Sequence, residues 1–178
     1  LTPRALALAL ACALPDGAIV VDEGVSVAGA LLPVSAGAPR HSYLALTGGA
    51  CGQGLPCAAG AAIAAPGRKV VALVGDGSAL FSPQALWTQA REGLDVVNVV
   101  VANDAYRILE VELTKLLAAR PGPRARALTE LHPPRVDWQA LARGFGVPAA
   151  CAESTDALVD ALDRALASPG PSLVEVRL

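Results

Sequence analysis

Val70-Val-Ala-Leu-Val-Gly-Asp76-Gly77-Ser78 and Val96-Val-Asn-Val-Val-Val-Ala-Asn103-Asp104 are two apolar runs that each end in polar side chains. The segment between them, residues 82–93, begins with serine and proline and ends with glycine, which are the residues preferred around the two ends of a helix. The stretch therefore predicts a strand, a helix that is capped by Ser82 and spans residues 83–92, and a second strand. Because such a crossover is right-handed, the strands are parallel and their carboxyl ends open at one edge of the sheet.

Asp76 and Asn103 follow these two strands, so we expect their side chains to converge at the edge where α/β folds bind ligands. One carboxylate and one amide oxygen suit a hard divalent cation such as Mg²⁺ or Ca²⁺. The backbone N–H groups of Gly77 and Ser78 can form a nest for a phosphate. The pattern predicts a cation that is shared with a phosphorylated ligand. Asn98 lies inside its strand and is expected to be a core or interface amide.

The rest of the chain repeats the alternation of strands and helices, without an internal repeat. Nearly continuous apolar runs are typical of strands that are covered on both faces. We therefore predict an α/β fold in which one domain, residues 1–178, forms a doubly wound, six-stranded parallel sheet with helices on both faces. Three helices have plausible caps, namely Thr2, Asp137, and either Ser154 or Thr155. The predicted strands are 18–22, 42–46, 69–74, 96–102, 147–151 and 172–178, and the predicted helices are 3–14, 56–65, 83–92, 105–118, 137–144 and 155–167.

The composition excludes several classes of protein. A net charge of −2 without a long basic run does not favour nucleic-acid binding, and no apolar run is long enough to cross a membrane. Apolar residues make up 53% of the 178 residues and charged residues only 17%, which predicts a subunit interface in a homo-oligomer or with a companion domain. The chain has no methionine, which is compatible with a piece of a longer protein.

The cysteines and the amino terminus predict a cytoplasmic location. Cys12, Cys51, Cys57 and Cys151 form no CxxC pair, so we interpret them as reduced core thiols. The first 15 residues superficially resemble a signal peptide. Thr2 followed by proline is, however, a conventional helix start, which favours a structural helix.

Two further segments depart from regular elements. Residues 47–56 contain four glycines, which permit a very close approach of the backbone to a flat ligand, but their spacing is not the GxGxxG of a dinucleotide fold. Residues 119–136 hold four prolines and four arginines. A loop of that length in a compact domain is either functional or disordered, and we leave open a mobile flap over the site and a plain surface excursion.

The two polar strand ends and the glycine-rich segment, in this order, resemble a known family. The chain is similar to the C-terminal, diphosphate-binding domain of thiamine-diphosphate-dependent enzymes, closest to the branch of acetolactate synthase and benzoylformate decarboxylase. The likeness rests on residues 75–82 through Asn103 and on the helix 85–90 between them, and it continues through 137–138, 141–147 and 170–175.

The resemblance implies a role for individual residues. Asp76 and Asn103 would bind Mg²⁺ through their side chains, and Ala105 through its carbonyl. Gly77 and Ser78 would hold diphosphate oxygens, and the loop after the first strand would approach the diphosphate from the other side, with a solvated loop acid as the alternative for Glu23. Gly49 would accept a hydrogen bond from the aminopyrimidine. The residues implied to contact thiamine diphosphate are Glu23, Gly24, Ser26, Gly49, Cys51, Gly75, Gly77, Ser78, Tyr106 and Ile108.

The sequence also departs from the family. Cys51 falls where relatives carry a large aliphatic wedge that bends the cofactor, so the support under its rings is in doubt. Pyruvate decarboxylases of the yeast type have a catalytic glutamate where this chain has Leu109, and Glu110 is turned by about 100° on a helix. A simple pyruvate decarboxylase is therefore not favoured, and Ile108 and Leu109 are expected to line an apolar substrate pocket.

The implied activity is decarboxylation of a 2-oxo acid, with or without transfer to a second carbonyl. The family's catalytic glutamate belongs to a pyrimidine-binding domain, and no stretch of this chain resembles it. The resemblance thus implies a pyrimidine-binding partner domain in the same or another chain, a homo-oligomer (dimer or tetramer), and no activity from this domain alone. Two alternatives stay open: the small subunit of a split 2-oxo acid decarboxylase, and a non-catalytic binding or scaffold module.

Overall fold

The structure, a computed structural model, describes residues 1–117 and 120–178, apart from the side chain of Ala28. Six parallel strands form one sheet in the order β2-β1-β3-β4-β6-β5. This arrangement confirms the predicted fold class. The strands are β1 (Ala18–Glu23), β2 (His41–Ala45), β3 (Val70–Gly75), β4 (Val96–Ala102), β5 (Ala149–Ala152) and β6 (Ser172–Arg177).

Helices cover both faces of the sheet and bury two separate apolar clusters. One cluster includes Leu6, Leu31 and Leu158 from three helices, and the other includes Leu55, Leu86 and Trp138 from three more. The helices are α1 (Pro3–Ala13), α2 (Ala28–Ser35), α3 (Gly54–Ala64), α4 (Asp76–Ala79), α5 (Ala85–Arg91), α6 (Arg107–Leu117), α7 (Pro123–Ala127), α8 (Trp138–Gly144) and α9 (Thr155–Ala167). Among the described residues, no helix combines the length and apolar character needed to span a membrane.

The strand order reverses at β1, because β2 lies on one side of it and β3 on the other. The helices that follow β1 and β2 pack on opposite faces of the sheet, α2 in one cluster and α3 in the other. Such a reversal opens a crevice at the carboxyl ends of the two central strands. The loops after β1 and β3 therefore border the natural ligand-binding position of this sheet.

Local signals placed several helix ends correctly. The hydroxyl of Thr2 accepts the N–H of Ala5 at 3.1 Å, and Asp137 and Ser154 cap α8 and α9 in the same way. Gly93 follows α5 with a φ of 59°, the left-handed conformation that ends a helix. These contacts satisfy N–H groups that a helix start would otherwise leave without a partner.

The prediction that Ser82 caps α5 is wrong. Its hydroxyl donates to the carbonyl of Gly52 at 2.6 Å, and α5 starts only at Ala85. Pro83 consequently lies in the turn before the helix. A single helical turn, α4, precedes this turn directly after β3 and was not predicted.

Two other elements were missed. The helix α2 carries Gly29 and Pro33, which lower helix propensity, but its apolar side chains pack into the core beside α1. The helix α7 lies inside the segment that was predicted to be a loop. The predicted end of α6 at Ala118 and the predicted start of the loop at Ala119 lie outside the described residues.

The cysteines are free, as predicted, but they are not core thiols. Cys12 and Cys51 are exposed, and Cys57 and Cys151 are only partly buried. The alanines and glycines around them indicated burial, but of the four only Cys57 packs against an apolar cluster, and it is only partly buried. Burial raises the pKa of the Cys151 thiol, and the neighbouring Glu175 raises it further.

Gln89 and Asn98 form a reciprocal amide pair between α5 and β4, and both side chains are fully buried. Gln89 also donates to the carbonyl of Leu55 and Asn98 to that of Ser172, so the pair joins four elements. Asn98 is thus a core amide, as expected from its position inside a strand.

Replacing Gln89 by leucine is expected to lower the free energy of unfolding by about 2–4 kcal/mol, because it leaves buried polar groups of Asn98 and Leu55 unpaired. Urea denaturation followed by circular dichroism measures the change. Gln84→Leu is the matched control, since Gln84 is exposed, and should change stability by less than about 0.5 kcal/mol. Equal effects of the two variants would contradict this interpretation.

Candidate functional site

A cavity of about 380 Å³ opens at the carboxyl ends of β1, β3 and β4, a size within the range of small-molecule sites. The loop after β1, the glycine-rich segment, the α4 turn and the start of α6 form its walls. Twelve of the fourteen residues that the sequence predicted for cofactor, metal or substrate lie in these walls: Gly24, Ser26, Cys51, Gly75, Asp76, Gly77, Ser78, Asn103, Ala105, Tyr106, Ile108 and Leu109.

The carboxylate of Asp76 lines the cavity and accepts three backbone hydrogen bonds. It is 4% exposed, and it accepts the N–H of Gly77 at 2.9 Å, that of Asn103 at 3.1 Å and that of Asp104 at 2.7 Å. The last two contacts join the end of β3 to the end of β4. Asp76 and Asn103 therefore share the same edge of the sheet and touch each other.

Both side chains keep an acceptor position for a cation. A carboxylate has about four lone-pair sites and an amide oxygen has two. Asp76 uses three of its sites in the contacts above, and among the described residues the Oδ1 atom of Asn103 accepts only the N–H of Ala105, at 3.2 Å. The donor set is thus hard oxygen with one acceptor position left on each side chain, which fits Mg²⁺.

Burial raises the pKa of Asp76, whereas the N–H groups of Gly77, Asp104 and Asn103 lower it. The negative charge of Asp104 raises it again. A divalent cation would favour the ionised carboxylate and offset the cost of its burial.

The turn after β4 is held in an unusual backbone conformation. Asp104 has a φ of 55°, and its carboxylate pairs with Arg135 at 2.7 Å. Ala105 forms an isolated antiparallel bridge with Glu130, and the N–H of Tyr106 donates to the carbonyl of Thr129. The segment before residue 136 thereby fixes the backbone at the predicted metal-binding positions Ala105 and Asn103.

Gly77 lies directly against the ring of Tyr106. A Cβ atom at Gly77 would stand 2.6 Å from the Cδ1 atom of that ring, which no side chain could tolerate without movement. Ser78, the next residue of the α4 turn, is 8% exposed and lines the cavity. The absence of a side chain at Gly77 therefore lets the backbone and the aromatic ring form one continuous wall.

The outer wall is apolar. Ile108 and Leu109 from α6 face Leu128, which follows α7, and all three are exposed in this chain. Leu128 belongs to the segment that we predicted to be either a flap or a surface excursion, and its position in the wall favours a segment that lies over the site. Whether it moves stays a prediction. The wall residues that the sequence analysis missed are Val25, Phe81, Arg107 and Leu128.

Some of these residues carried a usable signal and others did not. Phe81 and Arg107 lie within three residues of predicted positions, so the motif could have included them. Val25 has a φ of 49°, which is rare for a β-branched residue and could not be inferred from the sequence. Leu128 is one apolar residue in a segment without periodicity, and only the folded chain brings it to the cavity.

Glu23 and Gly49 are the two predicted cofactor contacts that do not reach the cavity walls. Glu23 is not a solvated loop acid: it ends β1, is 1% exposed, and directs its carboxylate to the glycine-rich segment. There it accepts the N–H of Gly52 at 2.6 Å and that of Gly54 at 2.5 Å. Gly49 is exposed beside the cavity, and its carbonyl lies 3.7 Å from the Sγ atom of Cys51.

The comparison with known proteins agrees with the geometry of this cavity. The sequence model described as "Thiamine pyrophosphate enzyme, C-terminal TPP binding domain" matches residues 24–176. The chain belongs to this family. It is a thiamine pyrophosphate binding domain of the type found in acetolactate synthases and benzoylformate decarboxylases.

Individual relatives of this thiamine pyrophosphate binding domain are much longer than the chain. It is 49% identical to IlvX of Mycobacterium tuberculosis, a protein named as an acetolactate synthase large subunit. The matching region covers 92% of this chain and 32% of IlvX. It is 35% identical to benzoylformate decarboxylase of Pseudomonas aeruginosa over 91% of this chain and 29% of the relative. The chain thus spans about a third of the length of these relatives.

A solved structure shows the same fold. The thiamine diphosphate-dependent 4-hydroxybenzoylformate decarboxylase of Rhodococcus jostii RHA1 superimposes with a TM-score of 0.85 at 33% identity, over 99% of this chain and 32% of the other. The likeness therefore extends over the whole sheet and its helices.

Proposed function

We propose that this chain binds thiamine diphosphate together with Mg²⁺ and supplies half of the active site of an acetolactate-synthase-like enzyme that decarboxylates 2-oxo acids. The observation that carries the proposal is the placement of Asp76 and Asn103 in direct contact at one edge of the sheet, each with a remaining acceptor position. Family membership supports the organic part of the cofactor.

Each wall of the cavity has a task in this proposal. Asp76 and Asn103 hold Mg²⁺ through their side chains and Ala105 through its carbonyl, while Gly77 and Ser78 bind the diphosphate. When bound, the cofactor supplies the electron sink for the charge that remains after CO₂ leaves. Ile108, Leu109 and Leu128 exclude water from the apolar side of the cavity and hold the side chain of the substrate.

The reaction needs an acid or base that we do not assign to any described residue of this chain. No residue with a catalytic acid or base role is assigned to the described walls, so a pyrimidine-binding domain in the same or another chain would supply the glutamate. We propose that the domain alone is inactive and works within a cytoplasmic homo-oligomer. The exposed apolar residues of α6, together with Leu128 after α7, are consistent with a covered surface in such an assembly.

Titration calorimetry tests the proposal. The purified chain should bind thiamine diphosphate at one site when Mg²⁺ is present, bind thiamine without its diphosphate far more weakly, and show no heat with NAD. A chain that takes up no thiamine diphosphate at any Mg²⁺ concentration would contradict the proposal. That outcome would favour a scaffold module, for which the replacement of the aliphatic wedge by Cys51 is the supporting observation.

The location of Cys51 gives a second, chemical readout of occupancy. Cys51 is exposed and lines the cavity, so iodoacetamide should alkylate it in the free chain. At a concentration of thiamine diphosphate about ten times its Kd, with Mg²⁺, alkylation should slow about 10-fold by mass action. Mass spectrometry of the digested protein measures the rate. Cys12 is exposed on α1, outside the cavity walls, and serves as the internal control. Unchanged alkylation of Cys51 at saturation would contradict its place in the cofactor site.

A further inference from the structure

Asp22 and Glu23 are two successive buried carboxylates at the end of β1, and neither contributes to the cavity walls. Successive residues of a strand point to opposite faces of the sheet. Within the described ranges, neither carboxylate forms an ion pair with a lysine or arginine. Burying a charge without a cation is costly, so the hydrogen bonds that these two carboxylates accept must offset that cost.

Glu23 forms hydrogen bonds with the backbone of the glycine-rich segment. Its two carboxylate oxygens accept the N–H groups of Gly52 and Gly54, at 2.6 and 2.5 Å. The carbonyl of Gly52 accepts the hydroxyl of Ser82 at 2.6 Å. The peptide groups on either side of Gly52 are therefore fixed from two directions. Cys51, which lines the cavity, directly precedes Gly52 in the sequence.

The packing around Glu23 leaves no room for another arrangement. A Cβ atom at Gly54 would lie 2.7 Å from the Oε2 atom of Glu23, and one at Gly52 would lie 2.5 Å from the Cβ atom of Phe81. The glycine-rich segment thus approaches the carboxylate of Glu23 at Gly54 and the α4–α5 turn at Gly52 as closely as glycine permits. This close packing holds the glycine-rich segment in one position.

Asp22 has the corresponding role on the other face of the sheet. It accepts the N–H of Gly24 at 2.8 Å and the hydroxyl of Tyr43. Gly24, Val25 and Ser26 form the opposite wall of the cavity, and the positive φ of Val25 is held directly next to this contact. Burial, followed by the contact with Asp22, raises the pKa of Tyr43, so its hydroxyl remains a donor at neutral pH.

We propose that Asp22 and Glu23 are positioning residues, and that each holds the cavity wall that contacts one end of the cofactor. Glu23 holds the wall that carries Cys51 and sets the affinity for the ring part of the ligand, whereas Asp22 holds the loop 24–26 and sets the affinity for the diphosphate. This inference rests on the proposed function, because it assigns the two walls to the two ends of thiamine diphosphate.

Glu23→Gln is the informative variant, since it keeps the shape of the side chain. One end of the glutamine amide is a donor, so it cannot accept both N–H groups, and at least one contact with the segment is lost. This contact lies within the protein, so its loss acts on affinity only through the position of the wall. The energy of a hydrogen bond to a charged acceptor corresponds to a factor on the order of 10 or more in an equilibrium constant, which sets the scale of the expected effect.

Calorimetry with two probes separates the two walls. With Mg²⁺ present, Glu23→Gln should weaken thiamine diphosphate on the order of 10-fold and leave inorganic pyrophosphate unchanged, and it should alter the alkylation rate of Cys51 in the free chain. Asp22→Ala should weaken both probes by a similar factor. A Glu23→Gln variant that binds thiamine diphosphate like the wild type, or that loses both probes equally, would overturn the proposal.

Two controls keep the outcome interpretable. Failure of the wild-type chain to bind thiamine diphosphate would remove the proposed function itself, whereas a normal wild type with an unaffected Glu23→Gln removes only the present inference. If Glu23→Gln does not fold, Ser82→Ala releases the carbonyl of Gly52, on the other side of this residue, without placing a polar group in the core. It should show the same selective loss of thiamine diphosphate with a smaller factor, and an equal loss of both probes would again contradict the division.

Discussion

Asp76→Asn should weaken the Mg²⁺-dependent binding of thiamine diphosphate on the order of 100-fold, because even residues that only support metal ligands change metal affinity by 10- to 100-fold. The substitution removes the one negative charge that the proposed cation site places in its inner shell. It also replaces one carboxylate oxygen by an NH₂ group, which cannot accept a hydrogen bond, so either the contact with Gly77 or the contacts with Asn103 and Asp104 are lost. Both losses act at the carboxyl end of β3.

The matched control for this variant is Asp16→Asn. Asp16 is an exposed aspartate that pairs with Arg40 at 2.7 Å, at the end of the sheet where β1 begins. Its replacement should leave cofactor affinity unchanged. Titration calorimetry at fixed Mg²⁺ measures both variants, with circular dichroism as a check of folding. A folded Asp76→Asn protein with wild-type affinity would show that the carboxylate does not hold the cation.

Gly52→Ala is expected to have the largest effect on stability, with a loss of about 2–5 kcal/mol in the free energy of unfolding. Two costs add at this position. The φ of 85° is unfavourable for any residue with a Cβ atom, and that atom would lie 2.5 Å from the Cβ atom of Phe81. The displaced segment would also release its contacts with Glu23 and Ser82, so thiamine diphosphate should bind more weakly.

Gly48→Ala isolates the first of these costs. Gly48 has a φ of 61°, and an added Cβ atom would meet no atom within 4 Å in the part of the chain that the structure describes. Its expected loss is therefore about 1–2 kcal/mol, from backbone strain alone. Urea denaturation of both variants gives the comparison. A Gly52→Ala variant as stable as Gly48→Ala would show that the contact with Phe81 relaxes freely.

The sheet and most helices could be predicted because their signals are local. Buried parallel strands appear as apolar runs, and Thr2, Asp137 and Ser154 cap their helices through contacts within three residues. The helix α2 escaped prediction because glycine and proline lower its propensity, and tertiary packing outweighs that cost. Ser82 was misread because its partner, Gly52, lies 30 residues away in the sequence.

The candidate site likewise contains residues that the sequence could predict and residues whose position depends on tertiary folding. Asp76 and Asn103 could be paired from topology alone, since parallel strands bring their carboxyl ends to one edge. The contribution of Leu128 depends on how the segment after α6 folds back, and no periodic pattern reports that. Glu23 was assigned to a loop because the strand was predicted to end at Asp22, one residue too early. In the structure, the buried carboxylate of Glu23 binds the glycine-rich segment, and a contact with the cofactor stays a prediction.

The strongest test of the cation site is a crystal structure of the chain with thiamine diphosphate and Mn²⁺, with data collected for anomalous scattering. We expect one anomalous peak at roughly 2.0–2.3 Å from a carboxylate oxygen of Asp76, the Oδ1 atom of Asn103 and the carbonyl oxygen of Ala105, with the diphosphate completing the shell. A cation bound elsewhere, or a diphosphate held at this edge without any cation, would contradict it.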